Sequence, residues 1–419
     1  MGLKLRLVIL EFLQFFIWGS WLISLGGYLS YGLSAPATGS QIGAVFATSG
    51  FAALLTPGIM GIIADKWINS ERLLGICHVL GAIVLFFASR ASSYEQLFPL
   101  MLMNALVFMP TISLSIATCY SLFAKAKLDP VKAFPPIRVW GTVGFITAMF
   151  TVDLLGWKIS SNQLLLASIT ALTLGIYSFT LPASPPMKKR IKNWKSAFGL
   201  DALILFKKKY MAIFLIFSVF LGICLQITNS FSSSFILGFG NPEVYGDKYL
   251  NTFAIRHSNI FLSISQISEA LFILAIPFFM KRFGIKKVIL LSLLAWFFRF
   301  GLFGIGNPGD GVIWLISSMI IYGMAFDFYN ISASLFVEKE APPHIRASSQ
   351  GLLMMLSGGF GSILGNIGAG YIVDCYTVNR ITNWQMTWYT FAIYVLLLGV
   401  LFGVLFQYKP QTENYKTSN

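Results

Sequence analysis

The sequence predicts an all-α membrane protein: twelve transmembrane helices arranged as two six-helix halves. Three observations carry that expectation. The chain of 419 residues is 56% hydrophobic and only 11% charged, a composition far from that of a soluble domain. Its apolar residues come in runs of about 18 or more, the length an α-helix needs to cross a bilayer. The basic residues between those runs are sorted by loop, and the densest basic loop falls at mid-chain.

The twelve runs begin near Leu5, Gln41, Arg72, Leu97, Val139, Gln163, Met211, Asn259, Lys286, Val312, Ala347 and Thr387. With both termini placed in the cytoplasm, 24 of the 30 Lys and Arg residues fall in inside segments. Five fall outside (Arg90, Lys158, Lys248, Arg256 and Arg380), and Arg299 lies within a span. This is the positive-inside bias, which fixes orientation. The net charge of +14 therefore reports membrane topology, and nucleic acid is not an expected partner. The first run is longer than the roughly 7 to 15 apolar residues of a signal-peptide core, so it is expected to be retained. Cys77, Cys119, Cys224 and Cys375 contain no CxxC pair and suggest neither a disulfide framework nor a zinc site.

The mid-chain loop, SPPMKKRIKNWKSAFGLDALILFKKKY from Ser184 to Tyr210, divides six runs from six. The expected organisation is an N-terminal six-helix half over 1–183, a cytoplasmic amphipathic linker over 184–210 and a C-terminal half over 211–419. The linker's lysines favour an anionic lipid surface. Landmarks recur in the two halves. Pro135-Pro136-Ile137-Arg138 introduces the fifth run and Pro342-Pro343-His344-Ile345-Arg346 the eleventh, while Gly61-Ile-Ile-Ala-Asp65-Lys66 follows the second run and Lys281-Arg282-Phe283-Gly284-Ile285-Lys286-Lys287 the eighth.

Twelve spans, a basic central loop and GxxxDK after the second span resemble the major facilitator superfamily, whose two halves rock around a midplane site. This copy of GxxxDK has Ile68 where a glycine usually follows. More specific are FPPIRVWGTVGF (Phe134 to Phe145), LQITN (Leu225 to Asn229), SISQISE (Ser263 to Glu269), YGMAFDF (Tyr322 to Phe328) and FVEKE (Phe336 to Glu340). With the opening FLQFFIWGSWL (Phe12 to Leu22), they resemble the bacterial nucleoside:proton symporter family from end to end.

The residues themselves point to one cavity. Arg138, Thr142 and Phe145 stand at i, i+4 and i+7 on one helix face, while Gln226 with Asn229 and Gln266 with Glu269 each stand at i, i+3. Tyr322 and Phe326 share a face, with Asp327 one step round. Carboxamides and a carboxylate satisfy the vicinal hydroxyls of a ribose, and aromatic faces suit a planar base. The resemblance implies ribose contacts from Gln226, Asn229, Gln266 and Glu269, and base contacts from Arg138, Thr142, Phe145 and Phe326. It also places Tyr322 and Asp327 in the binding set. Single Gln or Asn residues in membrane helices often bond only to a neighbouring helix, and Arg138 at a helix end also fits an inside anchor.

Intramembrane carboxylates are costly and mark pathways, so Asp327, Glu269 and Glu11 are the expected proton-coupling candidates. Glu11 fits either a cavity position or a pair with a basic residue. Arg299, deep in the ninth run, reads as a snorkelling or structurally paired cation, and Gly358 to Gly365 as a close-packing stretch. Asp65 and Lys66 are the expected inside gate. No nucleotide-binding domain accompanies the spans, which leaves secondary transport with a proton as coupling ion and no cofactor. His78, His257 and His344 form no HExxH motif, so an intramembrane protease is not expected. The sequence therefore predicts a multi-pass permease of the bacterial inner membrane, monomeric in function, that imports nucleosides with protons. The alternative is a proton-coupled sugar or oligosaccharide carrier of the same fold.

Overall fold

The computed structural model describes residues 2–185 and 200–408, without the side chains of Asp65 and Val131. Each expected apolar run is helical. Before the central segment come α1 (Leu3–Gly19), α2 (Leu25–Tyr31), α3 (Gly39–Lys66), α4 (Ser70–Ala88), α5 (Tyr94–Lys125), α6 (Pro135–Leu154) and α7 (Asn162–Ser178). After it come α8 (Lys209–Gly238), α9 (Ser258–Phe272), α10 (Ile276–Ile305), α11 (Val312–Glu340), α12 (Arg346–Met354), α13 (Gly361–Cys375) and α14 (Trp384–Leu405). Residues 186–199, which hold most of the expected surface linker, lie outside the described residues. From Leu200 to Lys207 the chain is a short 3-10 helix that buries Ala202 and Leu205 and exposes Leu203 and Ile204.

Nine segments among the described residues are long and apolar enough to cross a membrane. Helices α1 and α7, of 17 residues each, fall just short of that length, and the 48-residue segment Ser258–Ile305 contains two of the expected runs. The division inside that segment is at Gly284, whose φ of 71° belongs to the left-handed region that glycine enters without strain. Local chemistry sets other boundaries. Thr38 and Gln41 form a reciprocal capping box at the start of α3. Pro135 and Pro136 occupy the first turn of α6, where a missing N–H breaks no helical bond.

Helix α1 packs on α6 and α7, α4 on α5 and α7, and α3 on α5. In the later group α10 packs on α11 and α14, and α9 on α11. Trp296, Trp388, Phe300 and Phe303 fill that group's interior, while Leu274, Phe278, Leu397 and Val404 are exposed on its outside. Apolar side chains both inside and outside are what helices in lipid require.

The two groups meet through α2 with α8, α3 with α13 and α6 with α9. A Cβ on Gly39, Gly43 or Gly50 of α3 would strike the backbone of Gly370, Asn366 or Gly359. On Gly61, further along α3, or on Gly351 or Gly358 it would meet nothing. The groups therefore touch at the end containing Gly39 and part at the end containing Gly61. Within the glycine-rich stretch, Gly361 and Gly365 pack against Val219, Gly222 and Ile223 of α8, whereas Gly358 packs against nothing and departs from the expected packing role.

Candidate functional site

A cavity of about 190 Å³ opens on the side where the groups part. Leu225, Gln226, Trp296, Phe326, Asn330, Ser357 and Gly358 are among its walls. Ser357 and Gly358 lie in a π-helical turn, Met355–Phe360, that joins α12 to α13, a distortion common at functional sites.

From Phe326 the remaining candidates follow as neighbours. The ring of Tyr322, one turn earlier on α11, stacks on Phe326 with centroids 6.0 Å apart and planes 8° apart. Tyr322 has Gln266 as a neighbour and lies within electrostatic reach of Glu269 and Asp327. Asp327 is 2% exposed, and its Oδ2 has no hydrogen-bond partner among the described residues. Glu269 is half-buried and within electrostatic reach of both Asp327 and Arg138. That last relation joins the earlier helices to the later ones.

On the earlier side, Arg138 sits at the first turn of α6 with its Nε 4.0 Å from Glu11 Oε2 and its guanidinium 4.0 Å above the Phe15 ring. Of the two expectations for Glu11 the structure brings out the second: it is fully buried and paired, with Ser115 and Cys119 also against its carboxylate. Phe145 is buried edge-on to Trp18, centroids 6.5 Å apart, because the absent side chain at Gly19 lets α1 touch its backbone. Gln14, also on α1, accepts from His78 Nε2 at 2.7 Å and donates to Thr111 at 2.8 Å, so its amide is committed to packing. Thr142, Gln226 and Asn229 are half-buried and have no described side-chain hydrogen bond, which leaves their polar groups free for a ligand.

Lys66 is exposed at the end of α3, and the side chain of Asp65 lies outside the described residues. Sequence reasoning missed Trp296 and Asn330. Asn330 carried a usable signal, since it stands four residues after Phe326 and three after Asp327, and Trp296 carried one too, standing three residues before Arg299.

It also missed two clasps at the closed end. Asp153, at the end of α6, has both carboxylate oxygens buried; Oδ2 lies 3.5 Å from His257 Nδ1 and Oδ1 3.9 Å from Lys158 Nζ. Lys158 also donates to the carbonyls of Ile255, at 2.6 Å, and Arg256. On the other side Asp374 accepts from the backbone N–H of Gly39 at 2.6 Å and of Ser40 at 2.8 Å, a negative charge on the N-terminus of α3.

Comparison with known proteins agrees with this fold. The family model described as "Nucleoside H+ symporter" matches residues 1–411. The chain is 49% identical to the xanthosine permease of Escherichia coli (strain K12), over 99% of each chain. It is 47% identical to the nucleoside permease NupG of the same organism, over 98% of this chain and 97% of that one. A crystal structure of the nucleoside transporter NupG superposes with a TM-score of 0.90 at 46% identity, covering 98% of this chain and 100% of that one. The fold is that of the major facilitator transporters, and the chain belongs to the nucleoside:H+ symporter family.

Proposed function

We propose that this protein is a secondary active transporter that imports nucleosides across the bacterial inner membrane with protons, by alternating access. It is a permease and not an enzyme. The single observation that carries the proposal is the cavity wall and what stands beside it: Phe326, the carboxamides of Gln226 and Asn330 and the ring of Trp296 line it, with Tyr322 stacked on Phe326 and the carboxylates of Asp327 and Glu269 within electrostatic reach of each other close by. The match to the nucleoside H+ symporter family, and not the aromatic lining, which includes Trp296 beside Phe326, favours a nucleoside over a sugar as cargo.

In this account the two groups of helices are two six-helix halves, 1–183 and 211–419, joined by the linker 184–210 and crossing the membrane twelve times. Both termini are cytoplasmic, so the open end faces the cytoplasm and the clasped end faces outward. Gln226, Asn229, Gln266 and Glu269 take the ribose; Arg138, Thr142, Phe145 and Phe326 take the base, with Tyr322 holding Phe326 in place. Asp327 carries the proton. Its Oδ2 has no donor, and a proton there removes the cost of an unpaired buried charge. Glu269 and then Glu11 rank behind it as carriers. Asp65 and Lys66 form the inside gate when the outside is open, and the functional unit is one chain.

Uptake of labelled uridine and adenosine into proteoliposomes holding the purified protein tests this. Accumulation driven by an inward proton gradient and abolished by a protonophore is expected. Accumulation of a disaccharide with no competition from either nucleoside would overturn it.

A further inference from the structure

Arg299 neither snorkels nor pairs with a carboxylate. It is 1% exposed in the middle of the later helices, and no described acidic oxygen lies within ion-pair distance of it. An intramembrane cation without a counter-ion is costly and is kept for a reason. Its actual contacts supply one. Nη1 donates to the Ser318 carbonyl at 2.9 Å and reaches Ser265 Oγ at 3.4 Å, and Nε reaches Thr228 Oγ1 at 3.4 Å. Ser318 Oγ donates back to the Arg299 carbonyl at 2.8 Å. The guanidinium carbon lies 4.6 Å from the centroid of Tyr322 and 4.8 Å from that of Phe303.

Three of these partners stand beside proposed ligand contacts. Thr228 lies between Gln226 and Asn229 on α8. Ser265 precedes Gln266 on α9. Tyr322 neighbours Gln266 and stacks on Phe326, which faces the cavity. One planar, five-donor side chain thus reaches all three helices that carry the later site residues. We infer that Arg299 is a positioning residue for nucleoside binding, acting through the face of Tyr322: its cation–π contact fixes that ring, and through it the Phe326 face. The inference rests on the site proposed above.

A double-mutant cycle tests it, with uridine and adenosine binding to detergent-solubilised, monodisperse protein as the readout. Arg299→Met is expected to weaken binding about tenfold, which is about 1.4 kcal/mol. Arg299→Lys, which keeps a cation over the ring, is expected to recover part of that loss. In a Tyr322→Ala background neither substitution should add more than about a further twofold, because the ring through which Arg299 acts is gone. Undiminished affinity in Arg299→Met, losses that multiply fully with Tyr322→Ala, or no recovery with Lys would each overturn the inference. If Arg299→Met does not fold, the cycle is run with Arg299→Lys alone: a loss confined to the Tyr322 background supports the role, and an equal loss in both overturns it. Failure of the site proposal looks different, since Tyr322→Ala and Phe326→Ala would then leave nucleoside affinity intact.

Discussion

His257 Nδ1 lies 3.5 Å from Asp153 Oδ2 and so ties the start of α9 to the end of α6 at the closed end of the molecule. The contact matters because Asp153 is buried and its other oxygen faces Lys158, whose ammonium reaches the two carbonyls just before His257. Burial holds the Lys158 ammonium below the usual lysine range while Asp153 opposes that shift, so the three groups depend on one another. Breaking such a set leaves a buried charge without compensation, which costs more than the intact set contributes.

Asp153→Asn is therefore expected to shift the population toward the state open at this end. A single cysteine placed at Leu237, which faces Gly27 across the closure, reports it in a background lacking the exposed Cys375. Labelling by a membrane-impermeant thiol reagent from outside should rise several-fold relative to the parent. Equal labelling would remove the clasp from the gating mechanism.

Phe145 and Phe326 are proposed to meet the base from the two sides of the site. Replacing either with Ala should weaken every nucleoside by about 1 kcal/mol beyond the area lost, since every base has a π face. Isothermal titration of solubilised, folded protein measures this. Unchanged affinity in Phe326→Ala would return that side chain to packing.

Asp65→Asn is expected to alter the rate of transport with binding nearly intact, because a gate residue biases two conformations and does not touch ligand. Uptake rate and equilibrium binding measured on the same preparation separate the two. Loss of binding, with labelling from each side unchanged, would contradict a gate role.

Much of the candidate site was legible because helical spacing survives folding. The pairs Gln226 with Asn229 and Gln266 with Glu269, and the face of Tyr322 and Phe326, needed only a 3.6-residue period to be seen as faces. The break between the eighth and ninth runs was marked by a glycine among lysines, and it is Gly284 that turns there. What stayed hidden depends on contacts between distant segments. Nothing near Asp153 announces a partner at His257, and nothing near Arg299 shows that its counterpart is the face of Tyr322 and not a carboxylate. Glu11 was open for a similar reason: its burial against Arg138 is fixed by how α1 crosses α6.

The central claim is that Glu269 mainly recognises the sugar while Asp327, whose Oδ2 has no hydrogen-bond partner among the described residues, carries the proton. Its most direct test is paired measurement in proteoliposomes of nucleoside counterflow and of uptake driven by an inward proton gradient. Asp327→Asn should retain counterflow but lose gradient-driven accumulation, and Glu269→Gln should lose binding, and with it both activities, at every pH. An Asp327→Asn protein that still concentrates uridine with proton influx would contradict the claim and pass the role to Glu269 or Glu11.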